Sequence, residues 1–506
     1  MLLETKERFR KYHSKEEYDR LVELDTIPEM WEKVTKEFAT NEALVDGKTY
    51  TYKELEEAVG LYRKVLEDNN IKQGDHVGVF AKNSFDLVKM YLAVTTYGAV
   101  AAILPAHLDE KSLYGVSMMF NLKALCYEED QASKLNVIKS LNPNCKLLSA
   151  TLVGSEATPI NLNVKKEDSA IIMFTGGTTG RSKGALLSHE AVLQGAINGC
   201  YGMKHVFGQR YLLILPLSHV FGLIRNLMTC FYSGSVIYIV RNNKDMFKDI
   251  AIFKPTILVL VPAIAEMALN LSKAFNKNML GDSLKTIICG AARVAPYLIQ
   301  EYHKLGIDLY PGYGLTESAN LVSGNPENLA KPDSVGIPYP HQEFKIVNDE
   351  LWLKGKNMMK GYIGIPGANE EAFEDGWFKT GDLVKMDEDG FLYITGRCKE
   401  VIILSNGENV SPQEVEAVFN ECSLIQDSQL YEDVKESGEH FLALEVVPRM
   451  SELQKVEVED KMAYLMKELE KINQSLPPFE RATKIIIRDK DFERTPAMKI
   501  VRYKKC

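Results

Sequence analysis

Short, strongly apolar segments alternate with helical patterns along most of the chain, and this alternation restricts the fold more than any other feature. The segments read HVGVFAK, AIIMFTG, YLLILPL, VIYIV, ILVLVP and LKTIICG, and each is followed by residues with helix-like periodicity. Strands that are apolar on both faces are typical of parallel sheets covered by helices. The sequence therefore predicts an α/β protein with large, covered, mostly parallel sheets.

The pattern changes after about Leu351. The segments ELWLKG and FKTGDLVKMDEDGFLYITG have short alternating runs and an Asp-Gly turn, which predict a small, β-barrel-like antiparallel section. From about Lys399 onward the chain has its own strands (VIILS, HFLALEVV, KIIIRD) and its own helices (SPQEVEAVFNE, KMAYLMKELEKIN). This last part predicts a small α+β domain.

Composition excludes several classes of protein. The chain has 506 residues and a net charge of −9, which argues against a nucleic-acid partner, since phosphate backbones favour a basic surface. Its eight cysteines include no CxxC pair, so neither a disulfide framework nor a zinc site is expected, and a reducing cytoplasm fits best. The start of the sequence lacks the apolar core of a signal peptide. The most apolar region, 211–240, is interrupted by proline, histidine, arginine and glycine, so we expect buried strand, loop and helix there and no transmembrane segment.

The segment FTGGTTGRSKG, directly after an apolar run, has the composition of an anion-binding loop. Its glycines allow the backbone N–H groups to turn towards a ligand, its hydroxyls add donors, and its two cations add positive charge. The segment contains no carboxylate, so a polyphosphate is the simplest ligand. It is not a Walker A loop, because Lys183 follows Ser182 and not a glycine. The predicted phosphate ligands are Thr175, Gly176, Gly177, Thr178, Thr179 and Lys183.

This loop resembles the TSGTTGxPKG signature of the AMP-forming adenylating enzymes, which include acyl- and aryl-CoA synthetases, peptide-synthetase adenylation domains and luciferases. The chain departs from the signature at Gly176, where serine is common, and at Ser182, where proline is usual. The first change removes one hydroxyl donor, and the second leaves the loop less rigid.

Further segments resemble the same family in the same order along the chain. In GYGLTES, the resemblance implies that Tyr313 and Gly314 contact adenine, that Thr316 contacts the α-phosphate and that Glu317 holds Mg²⁺, a cation that prefers carboxylate oxygen. In CGAARVAP, a floor for the adenine ring is implied. In TGDL and GRCKE, two contacts to the ribose hydroxyls are implied. The residues assigned in these last three segments are Gly290, Ala291 and Ala292 for the floor, and Asp382 and Arg397 for the ribose.

The resemblance also implies two half-reactions and two domain arrangements. Lys499, in the closing segment FERTPAMKIVRYKKC, would bridge the carboxylate and the α-phosphate during adenylation. Rotation about Lys399 would then withdraw that lysine and bring a loop around Gly407 to the thiol path of CoA. The expected domains are an N-terminal domain over residues 1–396, a hinge at 397–399 and a mobile C-terminal lid over 400–506.

The segment LPLSHVFGL resembles the acyl-CoA synthetase segment that leads into the acyl pocket, which would place His219 near the carboxylate or the thiol path. Adenylation domains for amino acids usually carry an aspartate just after this element, and here Val220 and its neighbours include no acid. An α-amino acid is therefore not expected as the substrate. The run ESANLVSGNP resembles fatty acyl-CoA synthetases most, and the resemblance implies ATP and CoA as co-substrates and a medium- or long-chain fatty acid as the acid. The alternatives are an aromatic acid, and a carrier-protein phosphopantetheine as the thiol acceptor. The oligomeric state stays open, with a homodimer among the alternatives.

Overall fold

The computed structural model describes residues 7–175, 183–398, 400–403, 409–434, 440–494 and 500–502. The chain divides into two compact units. The first comprises residues 1–343 and 353–378, and the second comprises residues 344–352 and 379–506. The predicted boundary at 396 and the hinge at 397–399 stay predictions, and Lys399 lies outside the described residues.

One sheet of the first unit has seven strands over the described residues. Five neighbouring strands are parallel, and two antiparallel strands extend the sheet at one edge. In spatial order, the strands are Gly361–Ile363, Lys183–Ser188, Ser169–Thr175, Val100–Leu104, His76–Phe80, Ala124–Tyr127 and Lys146–Ser149.

A second sheet has nine strands over the described residues, of which six are parallel neighbours. Antiparallel strands lie at both of its edges. In spatial order, the strands are Ile337–Pro338, Ser323–Gly324, Asp308–Tyr313, Thr286–Cys289, Ile257–Leu260, Arg210–Leu213, Val236–Ile239, Glu42–Asp46 and Lys48–Thr51. The predicted covered, mostly parallel sheets are confirmed, and the strand Ile257–Leu260 is buried at every position.

Helices connect and cover these strands, and their first residues follow capping rules. Thr51 and Glu54 form a reciprocal capping box, and prolines occupy the first turn of the helices that begin at Pro262 and Pro296. The α-helices of the first unit are Lys15–Asp19, Ile27–Glu37, Tyr52–Asp68, Phe85–Tyr97, Glu110–Met119, Asn136–Leu141, His189–Asn198, Thr229–Tyr232, Met246–Phe253, Pro262–Ala274, Pro296–Lys304 and Ala368–Ala372. A π-helix spans Phe221–Met228, and 3-10 turns span Glu129–Leu135, Asn243–Asp245 and Thr316–Ser318.

One part of the predicted alternation is wrong. The run that ends at Thr175 is not followed by a helix, because the chain returns as the antiparallel strand Lys183–Ser188. The interrupted apolar region 211–240 forms strand, π-helix, short α-helix and strand, as predicted. Among the described residues, no helix combines the length and the apolar character needed to cross a membrane.

The predicted antiparallel section is present as one sheet. Its strands are Gln342–Val347, Glu350–Gly355, Phe373–Glu374, Trp377–Met386 and Leu392–Arg397. The turn at Asp375 and Gly376 has positive φ at both residues (50° and 78°), which is the geometry of a two-residue hairpin turn.

The second unit has its own apolar core, formed where its helices pack on a three-stranded sheet. The described elements after residue 400 are the strands Ile402–Ile403, Asn409–Val410, Ile425–Val434, His440–Pro448 and Lys484–Ile487, the helices Pro412–Asn420, Met450–Leu453 and Lys461–Ser475, and the 3-10 turn Pro478–Glu480. The sequence analysis missed the strand Ile425–Val434, which is polar at many positions and pairs along its length with His440–Pro448.

Candidate active site

The glycine-rich loop connects two antiparallel strands at the edge where the parallel strands of its sheet end. Thr175, which is 7% exposed, ends the first strand, and Lys183 lies opposite it in the register of the hairpin. The chain therefore leaves the sheet at Thr175 and re-enters it at Lys183, and these two residues lie opposite each other. Gly176, Gly177, Thr178 and Thr179 lie outside the described residues, so their roles stay predictions.

Three side chains join the end of this loop to the segment GYGLTES. The ammonium of Lys183 lies 4.6 Å from the centre of the Tyr362 ring. The Tyr362 hydroxyl donates a hydrogen bond to Glu317 Oε1 at 2.6 Å. Burial, and then the nearby Glu317 carboxylate, raises the pKa of Tyr362 well above its ordinary value, so this hydroxyl stays protonated. The arrangement brings one cation and one carboxylate of the predicted site together across a single tyrosine.

The turn that carries Glu317 is held by two hydrogen bonds to its backbone carbonyls. Met359 N–H donates to the carbonyl of Glu317 at 2.7 Å, and Asn357 Nδ2 donates to the carbonyl of Ser318 at 3.0 Å. Among the described residues, no group of three or more histidine, cysteine or acidic side chains could hold a metal. One fixed carboxylate fits Mg²⁺, which usually takes one or two carboxylates and completes its shell with substrate phosphates and water.

The predicted adenine segments lie at neighbouring strand ends, because the strands Thr286–Cys289 and Asp308–Tyr313 are parallel neighbours. A Cβ atom on Gly290 would lie 3.2 Å from the carbonyl of Gly312, and one on Gly314 would lie only 1.3 Å from the carbonyl of Asn320. Glycine is therefore required at residue 314. Ala291 has a φ of +67°, in the left-handed region that alanine seldom occupies.

His219 is half-buried in a turn between a strand and the π-helix. Its N–H donates to the carbonyl of Pro216 at 3.0 Å, and its own carbonyl accepts from Leu223 N–H at 2.9 Å. Asn83 holds the residues before it: Nδ2 donates to the carbonyl of Leu215 at 2.8 Å, and Oδ1 accepts from Leu217 N–H at 2.9 Å. The sequence analysis did not single out Asn83, which follows a strand of the other sheet.

Asp382 and Arg397 lie opposite each other in one hairpin of the second unit. Arg397 Nε lies 2.8 Å from Asp382 Oδ1, and Asp382 is 2% exposed. Gly381, with a φ of +71°, donates its N–H to Glu350 Oε1 at 2.8 Å. The two predicted ribose ligands thus form a mutual ion pair, a contact that the sequence analysis did not foresee.

Lys499 and Gly407 lie outside the described residues, but the chain on both sides of Lys499 is described. Arg494 and Ile500 form an antiparallel bridge, and Val501 N–H donates to the carbonyl of Glu493 at 2.8 Å. Three residues after Lys499, the guanidinium of Arg502 forms ion pairs with Glu416 and Glu400. These pairs connect the lysine segment to a helix of the second unit and to the residue that follows Lys399.

Comparison with known proteins shows the family. Residues 31–363 match the model of the AMP-binding enzymes, and residues 399–505 match the model of the AMP-binding enzyme C-terminal domain. The chain belongs to the AMP-binding enzyme family. A relative in this family is the long-chain-fatty-acid–CoA ligase of Salmonella typhimurium, which is 30% identical over 462 residues, or 79% of this chain and 82% of that protein. The chain is an AMP-forming carboxylate–CoA ligase.

Solved structures of AMP-binding enzymes share the fold. The anthranilate CoA ligase AuaEII in complex with anthranoyl-AMP has a TM-score of 0.82 at 19% identity, covering 94% of this chain and 95% of that one. The o-succinylbenzoate coenzyme A synthetase of Bacillus subtilis in complex with ATP and magnesium ion has a TM-score of 0.77 at 22% identity, covering 93% and 98%. The predicted fold class and family are confirmed.

Proposed function

We propose that this ligase activates a medium- or long-chain fatty acid with ATP and then transfers the acyl group to CoA. Binding of MgATP is supported by the Lys183–Tyr362–Glu317 arrangement. Through Tyr362, a cation suited to phosphate lies near a carboxylate suited to a metal ion. The apolar residues after His219 support an aliphatic acid, since Val220, Phe221 and Leu223 are all buried and no acidic side chain follows. The long-chain-fatty-acid relative points the same way.

In the first half-reaction, an oxygen of the carboxylate attacks the α-phosphorus of ATP, and pyrophosphate leaves. Positioning and charge neutralisation account for most of the acceleration of such a step. Thr175, Lys183 and the loop between them are proposed to hold the β- and γ-phosphates. Glu317 would hold Mg²⁺, which neutralises phosphate charge when it is bound. Lys499 is proposed to place its ammonium against the carboxylate and the α-phosphate.

Other residues are proposed to orient the nucleotide. Tyr313 would stack on adenine beside the floor formed by the residues from Gly290 to Ala292, and Thr316 would contact the α-phosphate. Asp382 would accept from the ribose hydroxyls, and Arg397 would orient this carboxylate through the observed ion pair.

In the second half-reaction, the thiol sulfur attacks the acyl carbonyl carbon, and AMP leaves with both electrons of the broken C–O bond. Only the thiolate is an effective nucleophile, and a free thiol has a pKa of about 8.5. His219 is proposed to lie beside this path, and the loop around Gly407 is proposed to bind the pantetheine arm.

A substrate panel tests the proposal. Pyrophosphate release is measured with saturated acids of increasing length and with benzoate-type acids, each with CoA, without CoA, and with a phosphopantetheinylated carrier protein. We expect release that depends on an aliphatic acid, and a thioester that forms with CoA. Turnover with aromatic acids alone would favour an aryl-CoA ligase, and a thioester found only on the carrier protein would favour that acceptor. No release with any acid would contradict the proposal.

A further inference from the structure

Arg225 is a buried cation that has no ionic partner in the part of the chain that the structure describes. It lies in the π-helix Phe221–Met228 and is 2% exposed. Its Nη2 lies 3.2 Å from Met203 Sδ, and a thioether is a weak acceptor. Its Nη1 is buried and has no hydrogen-bond partner among the described residues, and within the same residues no carboxylate pairs with it.

Another buried arginine of the same unit shows what a satisfied guanidinium looks like here. Arg63 is 1% exposed, and it forms an ion pair with Glu56. Its Nε donates to the carbonyl of Thr158 at 2.8 Å, and its Nη1 donates to Thr96 Oγ1 at 2.9 Å. Burying a charge is costly unless it is paired and hydrogen-bonded, and Arg63 meets both conditions. Arg225 has no ionic partner among the described residues, and the side chains recorded against its guanidinium, Met203 and Tyr211, are neutral.

The π-helix that carries Arg225 begins beside the proposed nucleotide floor. The ring of Phe221, its first residue, would lie 3.4 Å from a Cβ atom on Gly290. Arg225 follows four residues later, about one helical turn away. π-helical segments are rare in proteins, and those that occur are often found at functional sites.

A second donor without a partner among the described residues lies on the turn after Glu317. A Cβ atom on Gly195 would contact both Ile224 Cγ2 (2.9 Å) and Ala319 Cβ (3.2 Å), so the π-helix and this turn both pack against the helix His189–Asn198 at Gly195. Arg225 and Asn320 are the next residues on those two elements. Asn320 is 7% exposed, and its Nδ2 has no partner among the described residues.

Two buried donor atoms, Arg225 Nη1 and Asn320 Nδ2, thus have no acceptor among the described residues, and they lie on the two elements that flank the proposed adenylation centre. An anionic oxygen group on the substrate would supply what both lack. Such a group gives charge-assisted hydrogen bonds to a guanidinium and neutralises its charge.

We propose that Arg225 and Asn320 bind a second carboxylate, carried by the substrate at the end remote from the carboxyl that is adenylated. The substrate class is then an aliphatic dicarboxylic acid. Phe221, Leu223 and their apolar neighbours contact the methylene chain, one carboxylate reacts with ATP, and the other stays ionised against the guanidinium. This inference rests on the proposed function, because it concerns the acid of that same site.

The test compares chain-matched acids: hexanoate with hexanedioate, octanoate with octanedioate, decanoate with decanedioate, and each with its ω-hydroxy analogue. In the wild-type enzyme, we expect kcat/KM for pyrophosphate release to favour the diacid of the best pair by about 10- to 100-fold, the range that a charge-assisted hydrogen bond gives. Arg225→Met should abolish that preference, and Arg225→Lys should retain part of it. Arg63→Met is the matched control and should keep the wild-type ratio.

A binding measurement without ATP gives a second readout. Octanedioate should raise the thermal midpoint of the wild-type protein more than octanoate does, and this difference should vanish in Arg225→Met and shrink in Asn320→Gly. Without ligand, Arg225→Met should be at least as stable as wild type, because it replaces an unpaired buried charge by an apolar side chain. If Arg225→Met does not fold, Asn320→Gly and Arg225→Lys carry the test.

A wild-type enzyme that prefers the monocarboxylate or the ω-hydroxy acid in every pair would overturn the inference. So would an Arg63→Met variant that loses the ratio as completely as Arg225→Met does. Absence of pyrophosphate release with all acids would instead count against the proposed function, while the binding measurement would still decide whether Arg225 selects diacids.

Discussion

Tyr362 offers the sharpest test of the candidate site, because it contacts both ends of the proposed phosphate and metal region. Replacing it by phenylalanine removes the hydroxyl that donates to Glu317 Oε1 at 2.6 Å. The ring that faces the Lys183 ammonium at 4.6 Å remains. The variant therefore separates the orientation of the carboxylate from the position of the cation.

The magnitude follows from the type of bond. A hydrogen bond to a charged group contributes about 1.5–3 kcal/mol, and because Tyr362 is only half-buried, we take the lower end. A loss of about 1.4 kcal/mol corresponds to a tenfold lower rate constant. We expect Tyr362→Phe to lower kcat/KM for MgATP about tenfold and to shift the Mg²⁺ dependence of pyrophosphate release to higher concentration. Tyr362→Leu should add about 0.5–1 kcal/mol through the lost cation–π contact.

The assay is the initial rate of pyrophosphate release, titrated with Mg²⁺ at a saturating concentration of the best acid. Tyr297→Phe is the matched control, because the Tyr297 hydroxyl also donates to a glutamate, Glu266, but outside the candidate site. A Tyr362→Phe enzyme whose Mg²⁺ dependence equals that of wild type would refute the proposed role of this contact. An equal loss in Tyr297→Phe would show that the effect is not specific to Glu317.

Four further predictions follow from described contacts and from the proposed roles. Lys499→Ala should abolish acyl-AMP formation and leave thioester formation from supplied acyl-AMP largely intact; equal loss of both half-reactions would argue against a lysine specific to adenylation. Arg502→Met leaves the carboxylate of Glu416, whose side chain is 8% exposed, buried without its guanidinium, so denaturant unfolding should show a loss of about 3–5 kcal/mol; an unchanged unfolding curve would contradict this. Gly314→Ala would place a Cβ atom 1.3 Å from the carbonyl of Asn320, so we expect about 3 kcal/mol or more of destabilisation in the same assay, and a silent substitution would mean that the turn moves freely. Burial lowers the pKa of His189 from 6.5 to about 4. Between these pH values the unfolded chain binds a proton that the folded chain does not. The free energy of unfolding should therefore fall by up to about 3 kcal/mol as pH drops from 6.5 towards 4. His189→Gln should flatten that slope in denaturant midpoints measured across this range, and a slope that persists in full would assign it to other groups.

The parts of the fold that the sequence predicts are those in which one segment carries its own signal. The strand Ile257–Leu260 is buried at every position, and so are the last three residues of Thr286–Cys289. Burial on both faces requires an apolar run, and such a run can be recognised in the sequence. Ile425–Val434 has the opposite character. Its polar residues give no apolar run, and it becomes a strand through pairing with His440–Pro448, a long-range contact that a local pattern does not contain.

The candidate site divides in the same way. Glu317, Asp382 and the loop before Lys183 occur in segments whose composition and order are informative. The role of Tyr362 could not be predicted from the sequence. Its place beside Glu317 depends on the pairing of the edge strand Gly361–Ile363 with Lys183–Ser188. Asn83 is also not evident from the sequence. It follows a strand of one sheet, and its side chain hydrogen-bonds the backbone after a strand of the other sheet. The helix expected after Thr175 was wrong because hairpin pairing overrides the βα alternation at that edge.

The most direct measurement is a product analysis of the purified enzyme with ATP, Mg²⁺, CoA and an aliphatic carboxylic acid. We expect AMP, pyrophosphate and acyl-CoA in equal amounts, with acyl-AMP accumulating when CoA is omitted. Formation of ADP and orthophosphate, or ATP cleavage at a rate that no carboxylic acid changes, would contradict carboxylate activation at the site that contains Lys183, Tyr362 and Glu317.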